Sequence, residues 1–123
     1  MFVGETTEKA RADIQDAFWR YYRRYSGSAY FRLAVEEGRI VASDNPTMDE
    51  AMSHVNFIVG DPEYVADQLA PFCDALGVTT LTCMMHVAGL PHETMLGSMR
   101  LFIDEVKPRL LARLGAPTAE GVA

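Results

Sequence analysis

The tightest constraint on this chain is the spacing of turn residues between His54 and His92 (HVNFIVGDPEYVADQLAPFCDALGVTTLTCMMHVAGLPH). Val55–Val59 is an apolar, partly β-branched run ended by Gly60, too short for a helix, and is read as a strand. Asp61 then supplies an N-cap, and Pro62 falls at the first helical position, where its missing N–H costs nothing. Val65, Leu69, Phe72 and Leu76 recur at i, i+4, i+7 and i+11, one apolar stripe of a helix that Gly77 ends. Thr79–Met85 returns as a second strand. Strand, helix and strand joined by short turns predict a right-handed βαβ unit with parallel strands.

The flanking segments read mainly as helices. Thr6 or Thr7 caps a helix whose stripe is Ile14, Phe18, Tyr21, Tyr22 and Tyr25, closed by Ser26-Gly27-Ser28. Within it, WRYYRRY (Trp19–Tyr25) interleaves aromatics with arginines, as in surfaces that stack nucleic-acid bases. The net charge of −6 opposes that reading, and tyrosines on one face with arginines on the other describe an amphipathic helix. No nucleic-acid partner is expected. Tyr30–Glu37 is a further helix ended by Gly38, and Thr47 caps a short one over Met48–Ser53. Pro91 opens a long helix with Met95, Met99, Phe102 and Val106 on its inner face, widened by Leu96 and Ile103. Pro108 should kink it near Val106, and Pro71 should bend the central helix on its polar side. Arg100 and Asp104 form a candidate i,i+4 pair.

At 123 residues the chain offers one partial domain: a mostly helical lead-in over 1–54, a βαβα unit over 55–113, and a frayed tail over 114–123. No apolar run approaches roughly 18 residues, so no membrane partner is expected. The first residues lack a basic stretch followed by an apolar one, so no secretory signal is expected either. Cys73 and Cys83 have no paired motif, which suits reduced thiols and a cytoplasmic setting.

Three turn motifs carry a family resemblance. NFIVGDPEYVADQL, DALGVTTL and AGLPHETMLGSMRLFIDEVKPRL together resemble the C-terminal end of the luciferase-like flavin-dependent monooxygenases, and FVGETTEKARADI resembles the segment before that family's last barrel strands. The resemblance runs from about Val55 to Leu110 and more loosely over the first 25 residues. It implies a (β/α)8 barrel, FMN or a deazaflavin as cofactor, and oxidation of a small organic substrate. A complete barrel needs about 250 residues. The expected fold is therefore α/β, an incomplete (β/α)8 barrel made of the last βα units, with parallel strands and covering helices. Such a chain is either the end of a longer enzyme or a truncated homologue. The alternative function is a non-catalytic α/β remnant that dimerises or binds a partner through its uncovered sheet edge. Open edges predict self-association, or burial against the rest of the barrel.

Strand alternation picks the candidate site. Leu81, Cys83 and Met85 suit the layer under the helices, whereas Thr80, Thr82 and Met84 face the barrel interior. His86 continues the second set at the strand's C-terminal end, where a barrel opens to its ligand. There it is the candidate catalytic acid–base group or hydrogen-bonding partner. Val87 and Gly89 begin the following loop and are the candidate cofactor contacts, Gly89 because it lets backbone approach a bound ring. His92 falls in the first turn of the next helix and is read as a surface residue. Cys83, His86 and His92 match no metal-ligand spacing, so no metal is assigned. Cys83 and His86 fall on opposite strand faces, which weakens a nucleophile–base pairing. Gly60-Asp61-Pro62 has the place of an anion-binding turn, but a carboxylate occupies the anion's position, so it is read as a cap.

Overall fold

Two dipeptides make the whole sheet. Phe2–Val3 (β1) and Val59–Gly60 (β2) pair in parallel, Phe2 opposite Val59 and Val3 opposite Gly60. The Phe2 N–H donates to the Ile58 carbonyl at 2.9 Å and the Gly4 N–H to the Gly60 carbonyl at 3.1 Å. This computed structural model describes residues 1–115. Between the strands run α1 (Thr7–Ser26), α2 (Ala29–Glu36) and α3 (Met48–His54). After β2 come α4 (Pro62–Leu76), α5 (His92–Leu101), a π-helical turn over Phe102–Val106, and α6 (Lys107–Arg113).

Local chemistry sets most element ends. Thr6 Oγ1 accepts the Lys9 N–H at 3.1 Å to start α1. Ser28 Oγ starts α2, and Thr47 with Glu50 forms a reciprocal capping box on α3. Asp61 Oδ1 accepts the Tyr64 N–H at 2.9 Å, Pro62 opens α4, and Gly77 ends it in the left-handed region at φ 58°.

The two faces of β1 feed different cores. Phe2 and Val59 pack with Ile14, Phe18, Tyr22 and Phe31 under α1 and α2. Val3 packs with Val65, Leu69, Met85, Val106 and Leu110 from the α4–α6 side. Helices therefore cover both faces of the sheet. In a (β/α)8 barrel they cover only the outer face, and a ring of strands encloses the inner one. The expected incomplete barrel is not formed: among the described residues the fold is mostly helical, with a single two-stranded parallel sheet.

The second strand of the expected βαβ unit fails at β1's outer edge. Thr79–Met85 alternates as a strand would, with Met85 buried, Leu81 and Cys83 half-buried, and Thr80, Thr82 and Met84 exposed. It is nevertheless not part of the sheet. The Val3 N–H, which would bond a third strand, donates instead to the buried Ser98 Oγ of α5 at 2.8 Å. Met1 N donates to the Met84 carbonyl at 2.8 Å, just ahead of β1, and Met85 packs in the same core as Val3, so the run lies against the strand by side chains without joining its ladder. The expected strand over Val55–Val59 shortens for a related reason. Phe57 N–H bonds back to the Met52 carbonyl at 2.9 Å and Asn56 turns through φ 50°, so the end of α3 consumes the first residues.

Two helix faces also differ from the periodic reading. The buried face of α4 is Val65, Ala66, Leu69 and Cys73, while Phe72 and Leu76 are exposed, because the helix rolls toward α6 and the π turn. Ile103 is exposed rather than widening the inner face of the last helix. Pro108 leaves that helix unbroken but widens it: Lys107 N–H reaches back five residues to the Phe102 carbonyl. A proline has no N–H for the carbonyl four residues back, and the wider turn makes room for its ring. Arg109 pairs with Glu105 and with Glu63 (3.1 Å), and Arg113 with Glu63 and with Asp67 (2.8 Å), stitching α4 to α6. These exposed pairs are worth little each. In α1, Ile14, Phe18 and Tyr22 are buried, Tyr25 half-buried, and Arg20, Arg23 and Arg24 exposed, the amphipathic arrangement expected there, except that Tyr21, expected on the apolar stripe, is exposed. The lead-in over 1–54 is helical after β1; of the expected tail, 116–123 lies outside the described residues. Among the described residues no helix is long and apolar enough to cross a membrane.

Ser98→Ala should leave the Val3 N–H buried without a partner. The expected loss is about 1–3 kcal/mol of unfolding free energy, read by urea denaturation. Unchanged stability would show that the bond contributes nothing.

Candidate functional site

An open groove of about 770 Å³ lies between the lead into β2, α4 and the extended run that follows it. One wall is the lead into β2, Phe57–Val59, and another is the outer side of α4, with Tyr64 and Phe72. The extended run Leu81–Val87 closes the far side, and Tyr21 of α1 reaches in from above. The extended run presents Thr82, Met84 and His86 because its alternation points its even-numbered residues outward.

His86 is exposed and lines this groove, and Val87 lies beside it, buried against Phe2 and Phe18. The third candidate, Gly89, does not line the groove. It sits at φ 86° in the turn before α5, and its carbonyl accepts from Arg20 Nη2 at 3.5 Å. The Arg20 guanidinium occupies the space that a bound ring was expected to use. The structure thus brings His86 and Val87 together and separates Gly89 from them. His92 is exposed at the first position of α5, as expected of a surface residue.

The place of the groove also differs from the barrel-mouth expectation. At the C-terminal ends of the strands Gly4 lies so close to α1 that a Cβ there would sit 2.8 Å from Ala10 Cβ. Next to it Thr7 Oγ1 donates to Asp61 Oδ2 at 2.8 Å and accepts the Asp61 N–H at 3.2 Å. That end is closed. The groove instead meets the sheet near Met1, Phe57 and Ile58, at the strands' N-terminal ends.

The charged side chains lining the groove, Arg11 and Asp49, pair with each other at 2.7 Å, and burial lowers the pKa of the Met1 ammonium, which also lines it, from 8.0 to about 6. Burial pushes the Cys83 thiol above its ordinary value, so it is a protonated thiol at neutral pH and a poor nucleophile. Among the described residues no three His, Cys, Asp or Glu side chains converge as metal ligands would. What the groove offers is apolar and aromatic surface, with His86 as its imidazole.

Two features here had no counterpart in the sequence reading. Phe72 turns from buried stripe to groove wall; its neighbours Pro71 and Asp74 share the exposed side and were the available signal. Tyr22 Oη and His54 Nδ1 lie 2.8 Å apart inside an aromatic cluster with Phe31, a pair 32 residues apart that no local pattern marks.

Comparison with protein-family models, with curated proteins and with solved structures finds no match to this chain.

The Asp61 carboxyl is held below its ordinary value of 3.8, first by the Tyr64 amide and then by the Thr7 hydroxyl. A carboxyl depressed on folding stabilises the protein above its unfolded value and loses that contribution as pH falls through the folded one. Asp61→Asn should therefore cost about 0.3–1 kcal/mol at pH 7, the worth of a charge at a helix N-terminus. The difference from wild type should close as pH drops below about 4, in urea titrations run across that range. A gap that persists in acid would mean that Asn fails as a cap for steric reasons.

Proposed function

We propose that this chain belongs to a luciferase-like flavin-dependent oxidoreductase and that its groove receives a planar organic ring, that of FMN or a deazaflavin or of the substrate. The observation that carries the reading is a groove of ligand size, about 770 Å³, walled by Phe57, Tyr64, Phe72 and Leu81 with His86 on its rim. Flat aromatic and methionine surface suits a tricyclic heterocycle, and one imidazole suits its hydrogen-bonding edge. The fit is confined to the ring. A phosphate tail would need a free cation, and the groove's Arg11 is engaged by Asp49.

When bound, a reduced flavin would supply two electrons to O2 and the substrate the other two, one oxygen atom entering the substrate and the other leaving as water. The chain's own part is positioning. Phe72 and Tyr64 offer stacking surface, Met84 adapts to the ring's outline, and His86 gives or takes a hydrogen bond at the ring edge. The buried Val87 side chain ties the residue next to His86 into the first core.

A second reading is favoured by the same side chains. Phe72 and Met84 are exposed although apolar, which suits a non-catalytic module that works by association.

FMN should bind the isolated chain weakly, with Kd of about 0.1–1 mM, or roughly 4–5.5 kcal/mol. Flavin fluorescence quenching is the measurement. His86→Ala should raise Kd about tenfold, or 1.4 kcal/mol, while the unfolding midpoint stays put because the side chain is exposed. Equal affinity in wild type and variant would remove His86 from the site. A chain that purifies yellow with one flavin each would show a stronger site than ring contacts alone explain.

A further inference from the structure

The bonded pair Tyr22–His54 stands beside a second cavity, of about 560 Å³, that the proposed function does not use. It lies between α2, the loop after α2 and the last turn of α3, and it adjoins the groove at Ser53, Val55 and Asn56. Its lining is mostly polar. Arg39 and Glu50 bring one charge of each sign, and His54 brings an imidazole.

The bond to Tyr22 decides what that imidazole offers. Tyr22 is buried, so its O–H must donate, and His54 Nδ1 at 2.8 Å is the acceptor. Burial, and then the nearby Glu50 carboxylate, raise the phenol's pKa and keep its proton on oxygen. A neutral imidazole that accepts at Nδ1 carries its own proton on Nε2. Among the described residues no buried side-chain nitrogen or oxygen lacks a partner, so Nε2, which bonds none of them, is reached from the cavity. His54 thus presents one fixed donor.

Arg39 and Glu50 are each half engaged. The Arg39 guanidinium lies 5.5 Å from the centre of the Tyr30 ring, and its Nε and Nη2 both bond one Glu37 oxygen at 2.7 Å. Glu37 itself stands outside the cavity lining. Nη1 is left with the Tyr30 hydroxyl at 3.5 Å, a distance at which a hydrogen bond is weak. Glu50 gives one oxygen to the Thr47 amide at 2.6 Å and has the other to spare. Glu50 and His54 are one helical turn apart, on the same side of α3.

With one cation edge, one carboxylate oxygen and one neutral donor, the lining carries no net charge. A singly charged ligand meets a like charge there, whereas a ligand with both signs can satisfy each. Tyr25, Ile40 and Val41 add apolar wall beside these groups. We infer that the cavity binds a small zwitterion, a free amino acid with an apolar or aromatic side chain. Its carboxylate takes Arg39 Nη1 and His54 Nε2–H, its ammonium takes Glu50, and its side chain lies against Tyr25 and Ile40. The site stands whether or not the groove receives a flavin.

NMR of the isotope-labelled full chain, titrated with L-phenylalanine at about pH 8, above the ordinary imidazole range, tests this. The free chain should show His54 protonated at Nε2 alone. Phenylalanine should shift that ring saturably, with Kd of about 0.1–1 mM. N-acetyl-L-phenylalanine, without the ammonium, and L-phenylalaninamide, without the carboxylate, should each bind at least about tenfold more weakly. Arg39→Gln and Glu50→Gln should weaken phenylalanine binding to the same extent. Both variants spare the fold, because Arg39 is exposed and Gln serves a capping box as Glu does. No saturable shift at His54 by about 10 mM ligand overturns the inference, as does undiminished binding in both variants. A derivative missing one charge that binds as tightly as phenylalanine overturns it too.

Discussion

One hydrogen bond, from the Val3 amide to Ser98 Oγ, decides the shape of the sheet. A parallel strand directs alternate backbone groups to its two sides. Phe2 and Gly4 spend theirs on β2, and Val3 points to the other edge. Buried there, its N–H must find an acceptor. A third strand would supply one in a barrel. Here a helical serine supplies it, and with that the edge is filled by α5 and the sheet stops at two strands. The two cores follow from the same placement. α5 and the π turn come to rest over Val3, with α4 and α6, while Phe2 and Val59 remain with α1.

Much of the local structure was legible because it depends on neighbours in sequence. Thr47, Asp61 with Pro62, and Gly77 each mark an element end through geometry that spans four residues or fewer, and each does so in the fold. Alternation over Leu81–Val87 was legible too, and it places His86 on the outward side of its run. The sheet was not legible. Burial alternates in any extended segment laid on a core, whereas strand pairing depends on which partner reaches the edge first. That partner, Ser98, lies 95 residues from Val3 in sequence. The reading of Gly89 failed for a similar reason, since the Arg20 guanidinium that fills its surroundings comes from 69 residues away.

The position of the groove follows from how the strand ends are used. In parallel α/β folds the C-terminal ends of strands are where side chains and helix N-termini converge on ligands. This chain spends that end on itself: Asp61 caps α4 and holds Thr7 in the same pair of bonds. Gly4 lets α1 sit against the strand, with the Ala10 methyl occupying the space a side chain would need. The closed end tightens the domain, and the concavity is left at the opposite end, where Met1 and Phe57–Ile58 lead into the strands. Residues that would be ordinary core in a larger sheet, Phe72 and Met84, are thereby left facing outward.

That exposure is a consequence of size. A chain of 123 residues with two short strands has two cores to fill, and α4 can serve only one of them with its inner face. Val65, Leu69 and Cys73 take that role, and the opposite edge of the helix keeps Phe72 and Leu76 with nothing from the described residues to cover them. Leaving aromatic and methionine surface in water forgoes about 25 cal/mol for each Å², which for this patch comes to more than the worth of most single contacts in the fold. A ring held in the groove recovers part of that energy, because it covers only the inner faces of Tyr64, Phe72 and Leu81.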